Sequence, residues 1–192
     1  NEKMKDLQSV AMRLEVKQGM NNCLVINDSY NSDLSSLSIA LDFLHQQAAD
    51  KGIKETLILS DILQSGQNPD ELYKTVSLLL KNKGIQKFIG IGQELCSHKH
   101  LFDTFENDFF TTSEDFLKSK TNNLFKKEAI LLKGSRNFHF ERISETLELV
   151  AHQTILEVDL SALIHNLNYF RSYLKPETKT MCMVKADGYG SG

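Results

Sequence analysis

Cysteine is scarce in this chain, with only Cys23, Cys96 and Cys182 among 192 residues. The three lie far apart and form no Cys-x-x-Cys pair, which excludes a disulfide framework or a zinc ribbon. Cys23 and Cys182 lie in apolar, strand-like runs, so we expect reduced thiols rather than a catalytic cysteine. Cys96 is close to His98 and His100, but neighbouring helical positions point such side chains apart, and we expect no metal site.

Long apolar runs and an excess of positive charge are also missing. No apolar stretch approaches the roughly 18 residues of a membrane-spanning helix, and residues 1–8 are too polar for a secretory signal peptide. The formal net charge is −3, without a basic stripe, which argues against nucleic acid as a partner. We predict a cytoplasmic protein and, because the first residue is Asn1 rather than Met, a segment of a longer chain.

Short apolar runs alternate with segments of helical periodicity through the first 150 residues. The runs predict strands at Val10–Lys17, Cys23–Ile26, Thr56–Leu59, Phe88–Ile91, Phe109–Phe110 and Ala129–Leu132. Between them, helices are predicted after the cap candidates Asp33 or Ser35, after Asn68-Pro69, near Gln93–Phe102, from Ser113, and over Phe140–Leu149. This rhythm predicts an α/β fold, a Rossmann-like three-layer sandwich with a mostly parallel sheet.

Ligands of such sheets bind beyond the carboxyl ends of the strands. The polar segments in that position are Asn27–Asp33, Ser60–Gly66, Gly92–Glu94 and Lys133–Arg136. In the first, Asp28 could accept hydrogen bonds from a ribose, Asn31 could pair with a base edge, and Tyr30 offers a flat face. The residue types alone favour a simpler interpretation, a polar turn that caps the next helix.

After Val150 the pattern changes. A strand at Ile155–Val158, a helix capped by Asp159 or Ser161, and a strand at Thr180–Val184 precede the glycine-rich end of the chain. We therefore predict two domains, residues 1–152 and residues 153–192.

Several segments of the first domain resemble motifs of the Mur ligases. Asn27–Asn31 resembles the Asn-Asp-x-Tyr-Asn-Ala-Asn-Pro segment that opens their C-terminal domain, especially in the ligase that adds D-alanyl-D-alanine to UDP-N-acetylmuramoyl tripeptide. Leu132–Arg136 resembles the family's Val-Lys-Gly-Ser-Arg. Ala11–Glu15, Leu59–Leu63 and Ile91-Gly92 resemble other family segments, and all occur in the family's order.

The resemblance implies an ATP-dependent amide ligase. It implies that Arg13 contacts the nucleotide phosphates, that Asp28 and Asn31 hold ribose and adenine, and that Lys133, Ser135 and Arg136 fix the carboxylates of the substrates. ATP and Mg²⁺ would be held mostly by a central domain outside these residues. Without the resemblance, Lys133 and Arg136 could equally be a solvated strand end.

The sequence departs from the family pattern at several positions. Ser32-Asp33-Leu34 replaces Ala-Asn-Pro, Ser60 replaces a glycine, and Gln64-Ser65 replaces Glu-Leu. No Gly-x-x-x-x-Gly-Lys-Ser/Thr loop occurs, so the phosphates of ATP have no backbone cradle in this chain. We expect these 192 residues alone to be inactive as a ligase.

The second domain ends in a cluster around Lys185. A lysine before a flexible turn is the simpler interpretation, although burial at a strand end would favour a reactive amine. Val184–Gly192 resembles the pyridoxal-phosphate signature of alanine racemases, and Ile155–Arg171 resembles the start of their TIM barrel. The resemblance implies that Lys185 binds pyridoxal phosphate with Tyr189 near the cofactor phosphate; Ser191 replaces the family's usual His.

Together the two resemblances predict part of a bifunctional enzyme of peptidoglycan synthesis that ligates D-alanyl-D-alanine and racemises alanine. We expect the racemase segment to be inactive by itself, and its helix and strand to join the sheet or to exchange with a second copy in a homodimer. Two alternatives stay open: a nucleotide- or phosphate-binding regulatory module without ligase activity, and a structural linker whose ligase half has decayed.

Overall fold

A computed structural model describes residues 13–63, 65–119, 125–149, 158–181, 183 and 185. The chain divides between Leu149 and Val150 into two compact units. None of the described helices is long and apolar enough to cross a membrane.

The larger unit contains a six-stranded sheet in the order β1-β2-β6-β3-β4-β5. The strands are β1 (Glu15–Gln18), β2 (Leu24–Asp28), β3 (Lys54–Ser60), β4 (Lys87–Ile91), β5 (Glu106–Phe110) and β6 (Glu128–Lys133). All neighbouring strands are parallel except the edge strand β1, which pairs antiparallel with β2. The helices of this unit are α1 (Leu34–Ala49), α2 (Pro69–Asn82), α3 (Gln93–Ser97), α4 (Ser113–Lys118) and α5 (Phe140–Leu147).

Alternation along the buried strands supplies two hydrophobic layers, one on each face of the sheet. Leu57 and Leu59 pack in the cluster that contains α1 and α2, whereas Ile58 packs in the cluster that contains α4 and α5. Strands buried on both faces need a continuous apolar run, and β2, β4 and β6 are fully buried along their length. The predicted α/β three-layer fold is confirmed.

Local hydrogen bonds explain where the helices begin. Asp33 caps α1 in a reciprocal box with Ser36, so Asp33 rather than Ser35 is the cap. Asn68 caps α2 ahead of Pro69, as predicted. The helix predicted from Ser113 is capped by Thr112.

The helix predicted over Phe140–Leu149 ends earlier, at Leu147. Glu148 turns into an extended conformation and bridges Gly19, and Leu149 N donates to Gln18 O. Pairing with the end of the edge strand therefore replaces the last helical turn.

The smaller unit is described mainly by α6 (Leu160–Ser172). Asp159 is its cap, because its carboxylate accepts hydrogen bonds from Ser161 N and Ala162 N. The strand predicted at Thr180–Val184 is wrong for its described members, since Thr180, Met181 and Met183 are irregular and the two methionines are 97% and 80% exposed. A strand needs a neighbour to pair with, and no described residue of this unit belongs to the sheet. Residues 155–157 lie outside the described part, and exchange with a second copy stays a prediction.

Candidate functional site

Two neighbouring strands bring a carboxylate and a lysine together at the carboxyl edge of the sheet. Asp28 ends β2, Lys133 ends β6, and the two residues are partners in the parallel register. Lys133 Nζ lies 2.8 Å from Asp28 Oδ2 and 2.5 Å from the carbonyl oxygen of Asn31. The lysine side chain is only 1% exposed, and a buried ammonium must be paired in this way. Lys133 therefore fixes the end of β2 and the loop that follows it.

A first pocket of about 330 Å³ opens beside this ion pair. Its lining combines an exposed arginine, polar groups of the loop after β2 and a few apolar side chains: Arg13, Leu14, Asp28, Tyr30, Asn31, Asp33, Ser36, Ile39 and Lys133. Carboxylate and amide groups beside a cation and an apolar wall can hold a polar, partly flat ligand.

A second pocket of about 390 Å³ is also lined by the loop after β2. Residues after β2 and after β6 form it, with one contribution from the loop after β3: Tyr30, Asn31, Ser32, Asp33, Leu63, Ser135, Arg136 and Asn137. Tyr30, Asn31 and Asp33 line both pockets, so the two pockets are adjacent.

The ring of Tyr30 contacts one arginine from the lining of each pocket. The guanidinium carbon of Arg13 is 4.6 Å from the ring centroid, and that of Arg136 is 4.0 Å from it. Both distances suit cation–π contacts, which orient a guanidinium without neutralising it. The ring therefore keeps one positive group at each pocket.

A serine from β3 positions the loop after β6. Ser60 Oγ accepts a hydrogen bond from Ser135 N at 3.0 Å, and a Cβ on Gly134 would lie 2.9 Å from the ring of Phe140. Among the described residues, the buried Oγ atoms of Ser32 and Ser135 have no hydrogen-bond partner. Two residues that line the second pocket thus carry buried hydroxyl groups with unused hydrogen-bonding capacity.

Asp61 links the loops that follow β3 and β4. Its carboxylate accepts hydrogen bonds from Leu95 N at 2.9 Å and Glu94 N at 3.1 Å, and the Tyr73 hydroxyl lies 3.4 Å from it. Burial raises the pKa of Asp61 against the effect of these donors. The Asp61 carboxylate therefore binds backbone amides in the first turn of α3, and Asp61 lines neither of the two pockets.

The thiols and histidines form no metal centre among the described residues. Cys23 is buried and Cys96 half-buried, and burial raises the pKa of both thiols. His98 contacts Asp70 through Nε2 at 3.1 Å. Cys182 lies outside the described residues.

The six residues assigned by the Mur ligase resemblance meet at this edge: Arg13, Asp28, Asn31 and Lys133 line the first pocket, and Asn31, Ser135 and Arg136 line the second. Lys185 lies in the smaller unit and is exposed, and Tyr189 lies outside the described residues. In the sequence, Ser32 stands out only as a departure from the family motif, and Asp33 as a departure and a helix cap. No sequence pattern indicates that both line a pocket, because the other wall comes from residues about 100 positions away in the chain.

Comparison with protein-family models and curated proteins finds two relationships. Residues 158–192 match the model of the alanine racemase N-terminal domain. A UDP-N-acetylmuramoyl-tripeptide–D-alanyl-D-alanine ligase from Rickettsia prowazekii is 29% identical over 126 residues, which cover 64% of this chain and 27% of that protein. The alanine racemase of Synechocystis is 43% identical over 44 residues, 23% of this chain and 12% of the racemase. The chain thus spans under a third of the ligase's length and a smaller part of the racemase's.

Solved structures show the same fold. A crystal structure of MurF from Acinetobacter baumannii has a TM-score of 0.60 at 21% identity, covering 75% of this chain and 32% of that one. The MurF ligase from Thermotoga maritima in complex with ADP has a TM-score of 0.57 at 16% identity, covering 73% and 31%. The larger unit therefore has the fold of the C-terminal domain of MurF ligases and is similar in sequence to UDP-N-acetylmuramoyl-tripeptide–D-alanyl-D-alanine ligases, and residues 158–192 match the model of the alanine racemase N-terminal domain.

Proposed function

We propose that the larger unit is the C-terminal domain of a cytoplasmic, ATP-dependent ligase that adds D-alanyl-D-alanine to UDP-N-acetylmuramoyl tripeptide in peptidoglycan synthesis. One observation carries the proposal: all six residues assigned from the ligase motifs line two adjacent pockets at the carboxyl edge of the sheet. The motifs around residues 11–31 and 132–136 are separated by about 100 positions in the chain. Only a fold that brings both groups together gives these six residues a common site.

The first pocket supplies the nucleotide contacts in this proposal. Arg13 is an exposed cation held over Tyr30, which suits the phosphates of ATP. Asp28 meets Lys133 through Oδ2, and its second oxygen supplies further acceptor positions for ribose hydroxyls. Asn31 is exposed and offers an amide to the adenine edge.

The second pocket supplies the substrate contacts. Ser135 and Arg136 bind a carboxylate of the substrates, because a guanidinium and a hydroxyl both donate to it. Lys133 already donates hydrogen bonds to Asp28 and to the carbonyl oxygen of Asn31. In this proposal it positions the loop after β2 and affects substrate binding only indirectly.

Residues outside this chain complete the ligase. The chain contains no Gly-x-x-x-x-Gly-Lys-Ser/Thr loop and spans 27% of the Rickettsia ligase. We infer that the phosphates of ATP and Mg²⁺ are held mainly elsewhere, and that the 192 residues alone catalyse neither reaction.

We also propose that residues 158–192 begin an alanine racemase domain, with Lys185 as the lysine that binds pyridoxal phosphate. If held there, pyridoxal phosphate would supply electron withdrawal at the carbon that loses and regains a proton during racemisation. The described residues do not themselves fit an enclosed cofactor site, since Lys185 is exposed. This part of the proposal is supported by the match over residues 158–192.

Assays of the longer protein that contains this chain test both activities. We expect phosphate release from ATP only when UDP-N-acetylmuramoyl tripeptide and D-alanyl-D-alanine are both present, and D-alanine production from L-alanine in the presence of pyridoxal phosphate. Lys185→Ala should abolish racemisation and leave ligation unchanged, whereas Arg136→Gln should do the reverse. Phosphate release that does not depend on the dipeptide would exclude the ligase, and racemisation that survives Lys185→Ala would exclude the role of this lysine.

A further inference from the structure

The side chain of Ser60 continues the connection between β3 and β6 beyond the end of their shared register. That register ends at the pair Leu59 and Lys133. Ser60 is the last residue of β3 and is 0% exposed. Ser135 lies two residues after the end of β6, and its N–H donates to Ser60 Oγ at 3.0 Å. A side chain of one strand therefore binds the backbone of the loop that follows the other.

The Ser60 hydroxyl is held by a second hydrogen bond. Its Oγ donates to the carbonyl oxygen of Asp61 at 3.1 Å, and because a hydroxyl has one proton and two lone pairs, a lone pair remains for Ser135 N. Asp61 is itself fixed from two sides, since its N–H donates to Ile91 O at 3.0 Å and its carboxylate accepts from Leu95 N at 2.9 Å. The acceptor for Ser135 is thus anchored to β4 and α3.

The N–H of Ser135 depends on this acceptor. The hydrogen bond to Ser60 Oγ is part-buried, and a backbone N–H that loses its partner in such a place is unfavourable. Ser60 stands where the Mur ligase resemblance places a glycine, and glycine has no side-chain acceptor. The connection is therefore a feature of this sequence and has no equivalent in the motif.

The loop that Ser60 holds carries two residues that line the second pocket, Ser135 and Arg136. The loop is also packed closely on its other neighbour, because a Cβ on Gly134 would lie 2.9 Å from the ring of Phe140. The guanidinium carbon of Arg136 is 4.0 Å from the ring centroid of Tyr30. A loop that is already ordered loses less conformational freedom when a ligand binds, which strengthens binding.

We propose that Ser60 is a positioning residue whose hydroxyl fixes the N–H of Ser135 and thereby orients Ser135 and Arg136 toward a bound carboxylate. Ser60 lines neither of the two pockets, so it acts through the loop and not on the ligand. Its removal should weaken binding and leave the chemical step unchanged. The identification of the carboxylate as that of a peptide substrate rests on the proposed function.

Hydrogen exchange tests the positioning bond without any ligand. In the 192-residue chain, Ser60→Ala should make the backbone N–H of Ser135 exchange at least about tenfold faster by NMR. Ser77→Ala is the matched control, because Ser77 is also buried and its Oγ donates to Leu101 O at 2.6 Å. This control should leave the exchange of Ser135 unchanged. Equal exchange of Ser135 in Ser60→Ala and in the wild type would overturn the proposal.

Steady-state ligation by the longer protein that contains this chain tests the consequence for binding. Ser60→Ala should raise KM for the peptide substrate held by Arg136 about three- to tenfold, with kcat changed by less than about twofold. KM for ATP should not change. A role in stability alone would instead lower the apparent kcat, through loss of folded enzyme, and leave KM unaltered. Ser77→Ala should show at most that second pattern.

Two variants of Ser135 separate its N–H from its hydroxyl. Ser135→Ala removes only the hydroxyl, so adding Ser60→Ala to it should raise KM by the same factor as in the wild type. Ser135→Pro removes the N–H as well, and the φ of −89° at this residue is close to the range of proline. Adding Ser60→Ala to Ser135→Pro should have no further effect on KM.

Other results would refute the positioning role. It is wrong if Ser60→Ala leaves KM for both peptide substrates unchanged, if Ser77→Ala raises KM equally, or if Ser60→Ala has its full effect on Ser135→Pro. If Ser135→Pro does not fold, the exchange measurement and the Ser135→Ala comparison still decide. Absence of ligation by the wild-type protein would refute the proposed function alone, and hydrogen exchange would then decide the role of Ser60 by itself.

Discussion

Lys133 and Asp28 form a buried ion pair across the parallel strands β6 and β2, with 2.8 Å between Nζ and Oδ2. The lysine is 1% exposed and the aspartate 13% exposed at the side chain. Because water reaches them so little, each charge is stabilised mainly by its partner. The same lysine also holds the carbonyl oxygen of Asn31. This pair connects the stability of the sheet edge to the shape of both pockets.

Removing the cation should therefore destabilise the fold. We expect Lys133→Met to lower the free energy of unfolding by about 3–5 kcal/mol, because it leaves a largely buried carboxylate unpaired. The double variant Lys133→Met with Asp28→Asn should recover part of this loss. Urea denaturation followed by circular dichroism measures both.

Lys54→Met is the matched control, since its partner Glu106 is 58% exposed and such pairs contribute at most about 1 kcal/mol. Equal losses for Lys133→Met and Lys54→Met would contradict the structural role of the buried pair.

The carboxylate of Asp61 should make stability depend on pH. Its pKa is raised by burial, so the folded state binds the proton more tightly than the unfolded state. Its contribution favours folding below the unfolded pKa of about 3.9 and is lost as pH rises through the folded pKa. Relative to Asp61→Asn, the wild-type chain should lose stability as pH rises above about 4.

The difference between the two unfolding free energies at each pH isolates Asp61, because the other titrating groups are shared. A difference that is constant with pH, or that shifts in favour of the wild type as pH rises, would show that the pKa of Asp61 is not raised.

Gly92 should tolerate no side chain. Its φ is +141°, and a Cβ would lie 2.2 Å from Cγ of Asp61. Backbone strain and the clash together should make Gly92→Ala cost about 3–5 kcal/mol in unfolding free energy. Gly84→Ala separates the two causes, since Gly84 has φ of +73° with open space around its Cβ, and it should cost only about 1–2 kcal/mol. Similar thermal midpoints for the two variants would rule out the clash.

We expect the aromatic ring of Tyr30, rather than its hydroxyl group, to support ligand binding. Tyr30→Leu removes the surface on which Arg13 and Arg136 rest, whereas Tyr30→Phe keeps it. We expect Tyr30→Leu to weaken nucleotide and dipeptide binding by about two- to fivefold, in keeping with roughly 0.5–1 kcal/mol for an exposed cation–π contact, and Tyr30→Phe to have little effect.

The ring also has a spectroscopic signature. Side-chain protons of Arg13 and Arg136 should show upfield ring-current shifts that Tyr30→Leu abolishes and Tyr30→Phe preserves. If Tyr30→Phe weakens binding as much as Tyr30→Leu, the hydroxyl rather than the ring face is responsible.

Local sequence information determined the elements of the larger unit. Apolar runs of strand length identified the buried strands β2, β3, β4 and β6 because the middle of a strand that is covered on both faces is mainly apolar. Caps such as Asn68 with Pro69 located a helix start because their hydrogen bonds form within one turn. The order of short motifs was also sufficient to predict the similarity to the two enzyme families.

Only the tertiary structure decided which side chains share a pocket and which are already paired with other residues of the fold. Lys133 resembles a substrate-binding lysine in sequence, yet its Nζ is bonded to Asp28 and Asn31, because the parallel register places the ends of β2 and β6 side by side. Ser32 and Asp33 resemble an ordinary turn and cap, yet they line the same pocket as Arg136. Spacing along the chain carries no information about such contacts, since they depend on strand order and on loops that meet from distant positions.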